Sequence, residues 1–359
     1  MKKSRKYILL TFYKFVDLEN AQQIADEHKS FCSDIGLMGR IFIGEEGISA
    51  TVSGLPGQIE AYKLYLQTKE YFKDIPDIDI KATIVEAHQF DKLIVRYRKE
   101  IVALGETYKA SDIKKYEYRM NIDDFKSIID QGNDDYVILD MRNDYEYELG
   151  HFKGAVPAGT FHFKQLSGII DRYKEEYGNK KIVMYCTGGI RCEKASVMLE
   201  KAGLPGVFQL DGGVVKYVNT FNDGNWLGNL YTFDGRISTE VGDSQTHTVI
   251  SSCHYTGEPA EAFFNCRYSP CNYHFIAKPE EYKNHFGFCC EECFNKAKDD
   301  LYIRNDFDID PLNYKELRGN IKSKPEIRAD IKEMINLHLN KMTKGLQFKV
   351  KECKKVNFY

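Results

Sequence analysis

The sequence has no apolar run near the roughly 18 residues that a membrane-spanning helix needs, so no membrane partner is expected. It also lacks an export signal. Lys2-Lys3-Ser4-Arg5-Lys6 is basic, but the following stretch, Tyr7 to Phe15, is broken by Thr11 and Lys14, and no small-residue cleavage site follows. A cytoplasmic location is the expectation. No Gly-x-Gly-x-x-Gly or P-loop is present, so nothing calls for a flavin, an NAD-type cofactor or a nucleotide. No facial triad of iron ligands is readable, and there is no internal repeat or low-complexity tract. With 43% hydrophobic and 29% charged residues, the composition is that of a soluble globular protein and excludes a disordered, collagen-like or fibrous chain.

At roughly 100–200 residues per domain, 359 residues imply about two or three domains. Tyr7–Phe15 predicts a strand, and Asp17 is expected to cap a helix running to about Ile35. Gly39–Ile43 and Ile48–Val52 predict a hairpin around Gly44-Glu45-Glu46-Gly47, whose glutamates read as ordinary turn residues. A helix at Gln58–Gln67 and strands at Ile78–Val85 and Leu93–Tyr97 complete a split βαβ pattern. That predicts a ferredoxin-like α+β domain over residues 1–105. Tyr108–Arg119 reads as a basic, tyrosine-rich linker. Residues 120–225 alternate strand and helix patterns, which predicts a parallel α/β sheet with helices on both faces. Asn222–Asp243 reads as a loop. A Cys-rich module (245–300) and a helical basic tail (301–359) complete this α/β multidomain chain.

The net charge of −3 hides a basic end: from Tyr314 onward stand twelve Lys/Arg against five Asp/Glu. Such a segment is usually a solvated helical face, but it can attract a polyanion.

Ten cysteines without an export signal point to free thiols for metal binding or catalysis, not to a disulfide scaffold. Cys32 and Cys353 look isolated. Cys186 and Cys192 form a close pair within the strand Lys181–Tyr185, the loop Cys186-Thr187-Gly188-Gly189-Ile190-Arg191 and the helix after it. The glycines let the backbone wrap, so that several N–H groups converge on one point. The helix adds the positive end of its dipole. Together with Arg191 this field should favour a thiolate at Cys186, held at the mouth of the loop. Four residues separate Cys186 from Arg191 where cysteine phosphatases have five, so the ring suits a sulfane sulfur or a small anion better than a phosphoryl group. Cys192 reads equally well as a resolving thiol or as a small buried hydrophobe.

Residues 120–225 resemble a rhodanese domain. The resemblance rests on Asp140-Met141-Arg142, on Gly150-His151-Phe152-Lys153-Gly154-Ala155, on the Cys186–Arg191 loop and on Asp211-Gly212-Gly213. It implies a persulfide on Cys186, a cradle of amides from Thr187 to Arg191, and support from Asp140 and Arg142. The longer string Cys-Thr-Gly-Gly-Ile-Arg-Cys-Glu-Lys-Ala-Ser, the hairpin Glu46 to Gly54 and the Cys-rich module extend the likeness. The whole chain resembles the rhodanese-domain tRNA uridine hydroxylases. That resemblance implies an oxidoreductase that makes 5-hydroxyuridine at the wobble position, with molecular oxygen as co-substrate and tRNA, not DNA, as partner. A rhodanese-type sulfurtransferase is the alternative enzyme, and a zinc-stabilised binding module with a sensory cysteine is the non-enzymatic one.

In the Cys-rich module, Cys266-x4-Cys271 and Cys290-x2-Cys293 have the spacing of a four-thiolate zinc site, with Cys253, His254, His274, His285 and Cys289 as further donors. Tyr255, Phe263, Phe264, Arg267, Tyr268, Tyr273, Phe275 and Lys278 can be RNA-stacking and phosphate-binding groups, though a small module's core is the commoner use. Arg96, Arg98, Lys99, Lys114, Lys115 and Arg119, among Tyr97, Tyr108, Tyr116 and Tyr118, form a stretch that can meet phosphates.

Overall fold

The computed structural model describes residues 6–73, 80–115, 118–204, 206–222, 224–234, 236–242, 247–318, 329–344 and 347–353. The basic start up to Arg5, Ile78 of the expected fourth strand, Tyr116, and Lys322, Lys324, Arg328, Lys354 and Lys355 of the basic end lie outside them. The chain divides at residues 247 and 248 into two compact units.

The first unit opens with β1 (Tyr7–Phe15), α1 (Ala21–Asp34), β2 (Met38–Gly44), β3 (Gly47–Gly54), α2 (Pro56–Gln67), β4 (Lys81–Val85) and β5 (Leu93–Tyr97). The sheet order is β4-β1-β3-β2-β5, with β5 parallel to β2 on the outer edge. This is the expected ferredoxin-like arrangement with one strand added. Side chains alternate faces along β1. Leu10 and Phe12 join Ile24, Cys32, Ile59, Tyr62 and Leu66 in the core with the two helices. Each such apolar side chain stabilises by about 1.5–3 kcal/mol. Tyr13 and Phe15, on the other face, turn toward the next domain, where Phe15 packs on its core.

Asp17 does not cap α1. Asn20 stands at that position, and Asp17 instead accepts from the Ala110 N–H at 3.0 Å, where α3 (Ala110–Lys115) begins inside the expected linker. The chain continues through β6 (Arg119–Met120), α4 (Ile122–Gln131), β7 (Tyr136–Asp140), α5 (Asp144–Leu149), β8 (Gly150–Phe152) and β9 (Val156–Pro157). A 3-10 turn (Phe163–Ile169), α6 (Ile170–Tyr177), β10 (Lys181–Tyr185), α7 (Ile190–Lys201), β11 (Val207–Leu210) and α8 (Gly213–Phe221) follow. The sheet is all parallel, in the order β6-β11-β10-β7-β9. One core lies on each face, as the uninterrupted apolar strand β10 requires.

The expected loop at Asn222–Asp243 is partly strand. β12 (Trp226–Gly228) pairs with β8, and β13 (Leu230–Tyr231) pairs with β14 (Ser238–Thr239). Burial of Trp226 against Phe152 outweighs the Gly- and Asn-rich composition that argued for a loop.

The second unit holds the hairpin β15 (Ala262–Asn265) and β16 (His274–Ala277), then α9 (Pro279–Asn284), α10 (Glu291–Asp300), α11 (Tyr314–Arg318) and α12 (Ala329–Met342).

Candidate active site

β10 ends at Tyr185, the Cys186 loop follows, and α7 begins at Ile190. The Gly189 N–H donates to the Cys186 Sγ at 3.1 Å, and Gly189 holds φ +103°, a conformation that favours glycine. Burial pushes the Cys186 thiol up. The Cys192 side chain, the Arg191 charge and the Arg191 and Cys192 amides outweigh that, and the thiol lies well below its ordinary range. Cys192 goes the other way: burial and its hydrogen bond with Cys186 keep it protonated. Of the two thiols, Cys186 is the one its surroundings favour in the ionised form.

The second glycine turn fixes the loop from the far side. The α8 amides of Val214 and Val215 donate to the Cys186 and Thr187 carbonyls at 3.0 and 3.1 Å. Gly213 has φ +64°, and a Cβ there would stand 2.5 Å from the Cys186 carbonyl oxygen. The Asp211-Gly212-Gly213 turn is a close-approach requirement.

Asp140 and Arg142 are fully buried and paired, with Arg142 Nη2 2.6 Å from Asp140 Oδ2. Tyr185 donates its hydroxyl to Asp140 at 2.7 Å, and its phenol stays protonated because burial and Asp140 raise it well above its usual range. The pair thus holds the residue that precedes Cys186, from behind the loop.

Arg191 is met by a partner that no local motif announces. Glu146 on α5, fully buried, takes its guanidinium in a two-pronged pair at 2.6 and 2.9 Å. Arg191 also stands 3.5 Å from the Thr187 hydroxyl.

Cys186 is not at an open mouth. It is 1% exposed, which corrects the expectation of an accessible sulfur. Side chains of the first domain stand against the loop. The Tyr13 hydroxyl stands 2.7 Å from where a Gly189 Cβ would be, and donates to Glu193 Oε1 at 3.0 Å. Arg119 pairs with the same carboxylate at 2.6 Å. Lys81 on β4 donates to the Gly188 and Gly212 carbonyls at 3.3 and 2.5 Å, bridging the two glycine turns.

Glu46 is more than a turn residue. It is buried, bonds the Lys194 ammonium of α7 at 3.0 Å and accepts the Ile101 N–H. Glu100 takes Lys194 from a second side at 2.6 Å. No local pattern announces these partners, because Glu46 and Lys194 lie on different domains.

In the second unit, Arg267, Tyr255 and Phe275 are buried, and Tyr255 stacks on His285, so these three are core. Two sets of thiols crowd together: Cys266, Cys271, Cys289 and Cys293, and Cys289, Cys290, Cys293 and Cys353. Cys353 is therefore not isolated. Cys290 sits in the second set, and Cys289 takes the place expected for it in the first.

Residues 7–101 match the UPF0176 acylphosphatase-like domain family, residues 121–220 the rhodanese-like domain family, and residues 227–294 the rhodanase C-terminal family. A protein of Bacillus velezensis named tRNA uridine(34) hydroxylase is 37% identical over 303 residues, which cover 84% of this chain and 92% of that protein. One of the same name from Enterococcus faecalis is 39% identical over 291 residues, covering 80% and 90%. Among solved structures, a rhodanese-like domain from Anabaena sp. is 26% identical with a TM-score of 0.27, covering 31% of this chain and 80% of that one.

Proposed function

Because the chain belongs to the tRNA uridine(34) hydroxylase family, we propose that it converts the wobble uridine of tRNA to 5-hydroxyuridine, with Cys186 as the reacting group. The single observation behind the choice of residue is the Cys186 sulfur accepting the Gly189 N–H at 3.1 Å at the start of α7, where Arg191, Cys192 and the loop amides lower its thiol below the ordinary range.

A thiolate adds to carbon 6 of a uracil ring, and the electron pair of the C5–C6 double bond moves to carbon 5 and the neighbouring carbonyl. Carbon 5 then attacks an oxygen electrophile derived from dioxygen. Loss of the carbon-5 proton and expulsion of Cys186 restore the ring. The net change, C–H to C–OH, makes the enzyme an oxidoreductase. One oxygen atom enters the uridine. The other leaves as water, the two electrons coming from an external dithiol that becomes a disulfide, because Cys186 is bonded to carbon 6 and Cys192 stays a proton donor. Cys192, as hydrogen-bond donor, stabilises Cys186 before addition and again on expulsion. A tRNA substrate places the enzyme in the cytoplasm, and no described helix is long and apolar enough to cross a membrane.

Burial of Cys186 requires the Tyr13 and Lys81 side chains to move when the nucleotide enters. The test is nucleoside analysis of tRNA from cells lacking the gene, complemented with wild type or Cys186→Ala, under 18O-labelled dioxygen. Wild type should restore labelled 5-hydroxyuridine and Cys186→Ala should not. Full hydroxylation by Cys186→Ala, or an unlabelled product, overturns the reading.

The tight amide ring also favours a second reading, a persulfide-carrying sulfurtransferase. It would be preferred if thiosulfate turnover were robust and tRNA nucleosides in the knockout were unchanged.

A further inference from the structure

We propose that the Thr248–Tyr359 unit carries a binuclear zinc cluster: Cys289 and Cys293 bridge two ions, Cys266 and Cys271 complete the first, and Cys290 and Cys353 complete the second. Each group of four sulfurs lies within 4.8 Å, and the two groups share Cys289 and Cys293. Four thiolates around zinc at about 2.3 Å define a tetrahedron whose edges are about 3.8 Å. Cys289 stands 3.6 Å from Cys293, 3.8 Å from Cys271 and Cys290, and 3.9 Å from Cys353.

Two separate four-ligand sites need more donors than six cysteines provide, and no histidine stands in either group. His254 Nε2 bonds the Cys289 carbonyl at 2.7 Å, and His285 bonds the Glu281 carbonyl at 2.8 Å. Cys253 accepts from the Lys278 amide, outside both groups. Sharing two thiolates resolves the shortage. It also limits charge: six thiolates and two divalent ions leave a net −2. Backbone amides offset part of this, with the Cys289 N–H on Cys266 and the Cys293 N–H on Cys290 at the start of α10. A single ion would leave two of the six thiols without metal.

An all-thiolate set selects zinc over magnesium or calcium. An iron–sulfur cluster would spread its thiolates over separate irons, farther apart than these. Cys271 and Cys353, at 3.4 Å, would serve different ions and must part when both bind.

Cys353 is delivered by the tail, beyond the rhodanase C-terminal match. The α10 amides of Glu291 and Glu292 donate to the Val350 and Lys351 carbonyls at 3.1 Å, and Phe348 is buried against Phe294. The second ion thus fastens the tail to α10.

The test is metal analysis of the full chain purified under reducing conditions without chelator, followed by 113Cd NMR after exchange. Wild type should hold about two zinc ions, and Cys353→Ser or Cys266→Ser about one. Cadmium should give two signals coupled through the shared sulfurs. One zinc unaffected by Cys353→Ser, bound iron with visible absorption, or six freely titrating thiols would each overturn the proposal. These readouts do not involve hydroxylation, so they fail independently of the activity assigned to Cys186.

Discussion

At Cys186 burial opposes ionisation, and specific neighbours reverse it. The hydrogen bond from Cys192 is the foremost of these, followed by the Arg191 charge and two amides. Cys192→Ala should therefore move the thiolate absorbance midpoint of Cys186 upward in pH, and an unchanged midpoint would show that Cys192 is only packing. His28 is a buried residue with a different consequence. Burial lowers it from 6.5 to about 4, and its Nδ1–H faces the Ile24 carbonyl at 3.2 Å. Between those values the unfolded chain takes up a proton that the folded chain refuses. Stability should therefore fall as pH falls from about 6.5 to 4, by up to about 3 kcal/mol. His28→Leu should flatten urea midpoints across that window. The thiol pair was readable from spacing and glycines, but Glu146 was not, because nothing in its sequence neighbourhood points to Arg191.

Helix starts frame the Cys186 loop. α7 begins within it and α8 donates to its carbonyls, so both glycine pairs serve one turn of backbone. Gly213→Ala should place a methyl against the Cys186 carbonyl, in a conformation that disfavours side chains. We expect a loss of about 1–3 kcal/mol and a displaced Cys186, seen as a lower melting temperature together with reduced hydroxylation. Elements with strong periodicity, such as β1, β7 and β10, were legible. Short ones were not: α3 sits in a stretch that reads as linker, with its N-terminal cap on Asp17 in a distant segment, and β12 exists because Trp226 has an aromatic pocket to fill.

Across the first unit, the ferredoxin-like domain both anchors to the rhodanese domain and sets Tyr13 and Lys81 against its cysteine loop. Lys194, fully buried, pairs with both Glu46, whose carboxyl burial raises despite that pairing, and Glu100. Lys194→Met would leave Glu46 and Glu100 without their shared cation and should cost about 3–5 kcal/mol in urea unfolding, with Glu46→Gln in the same chain recovering part of it. The Lys81 contact makes a separate prediction. Lys81→Ala, which frees both glycine turns from their bridge, should speed alkylation of Cys186 by iodoacetamide about tenfold, a factor worth about 1.4 kcal/mol. An unchanged rate would place the access route elsewhere. The sequence by itself determined the order of the longer elements and the Cys186 loop with its glycines, because local patterning and short-range spacing encode them. Only the tertiary structure decided that Cys186 is buried, that Glu146 holds Arg191 and that Cys353 meets Cys289. Those depend on segments far apart in the chain that come together when apolar faces are buried, and no short stretch of sequence carries that information.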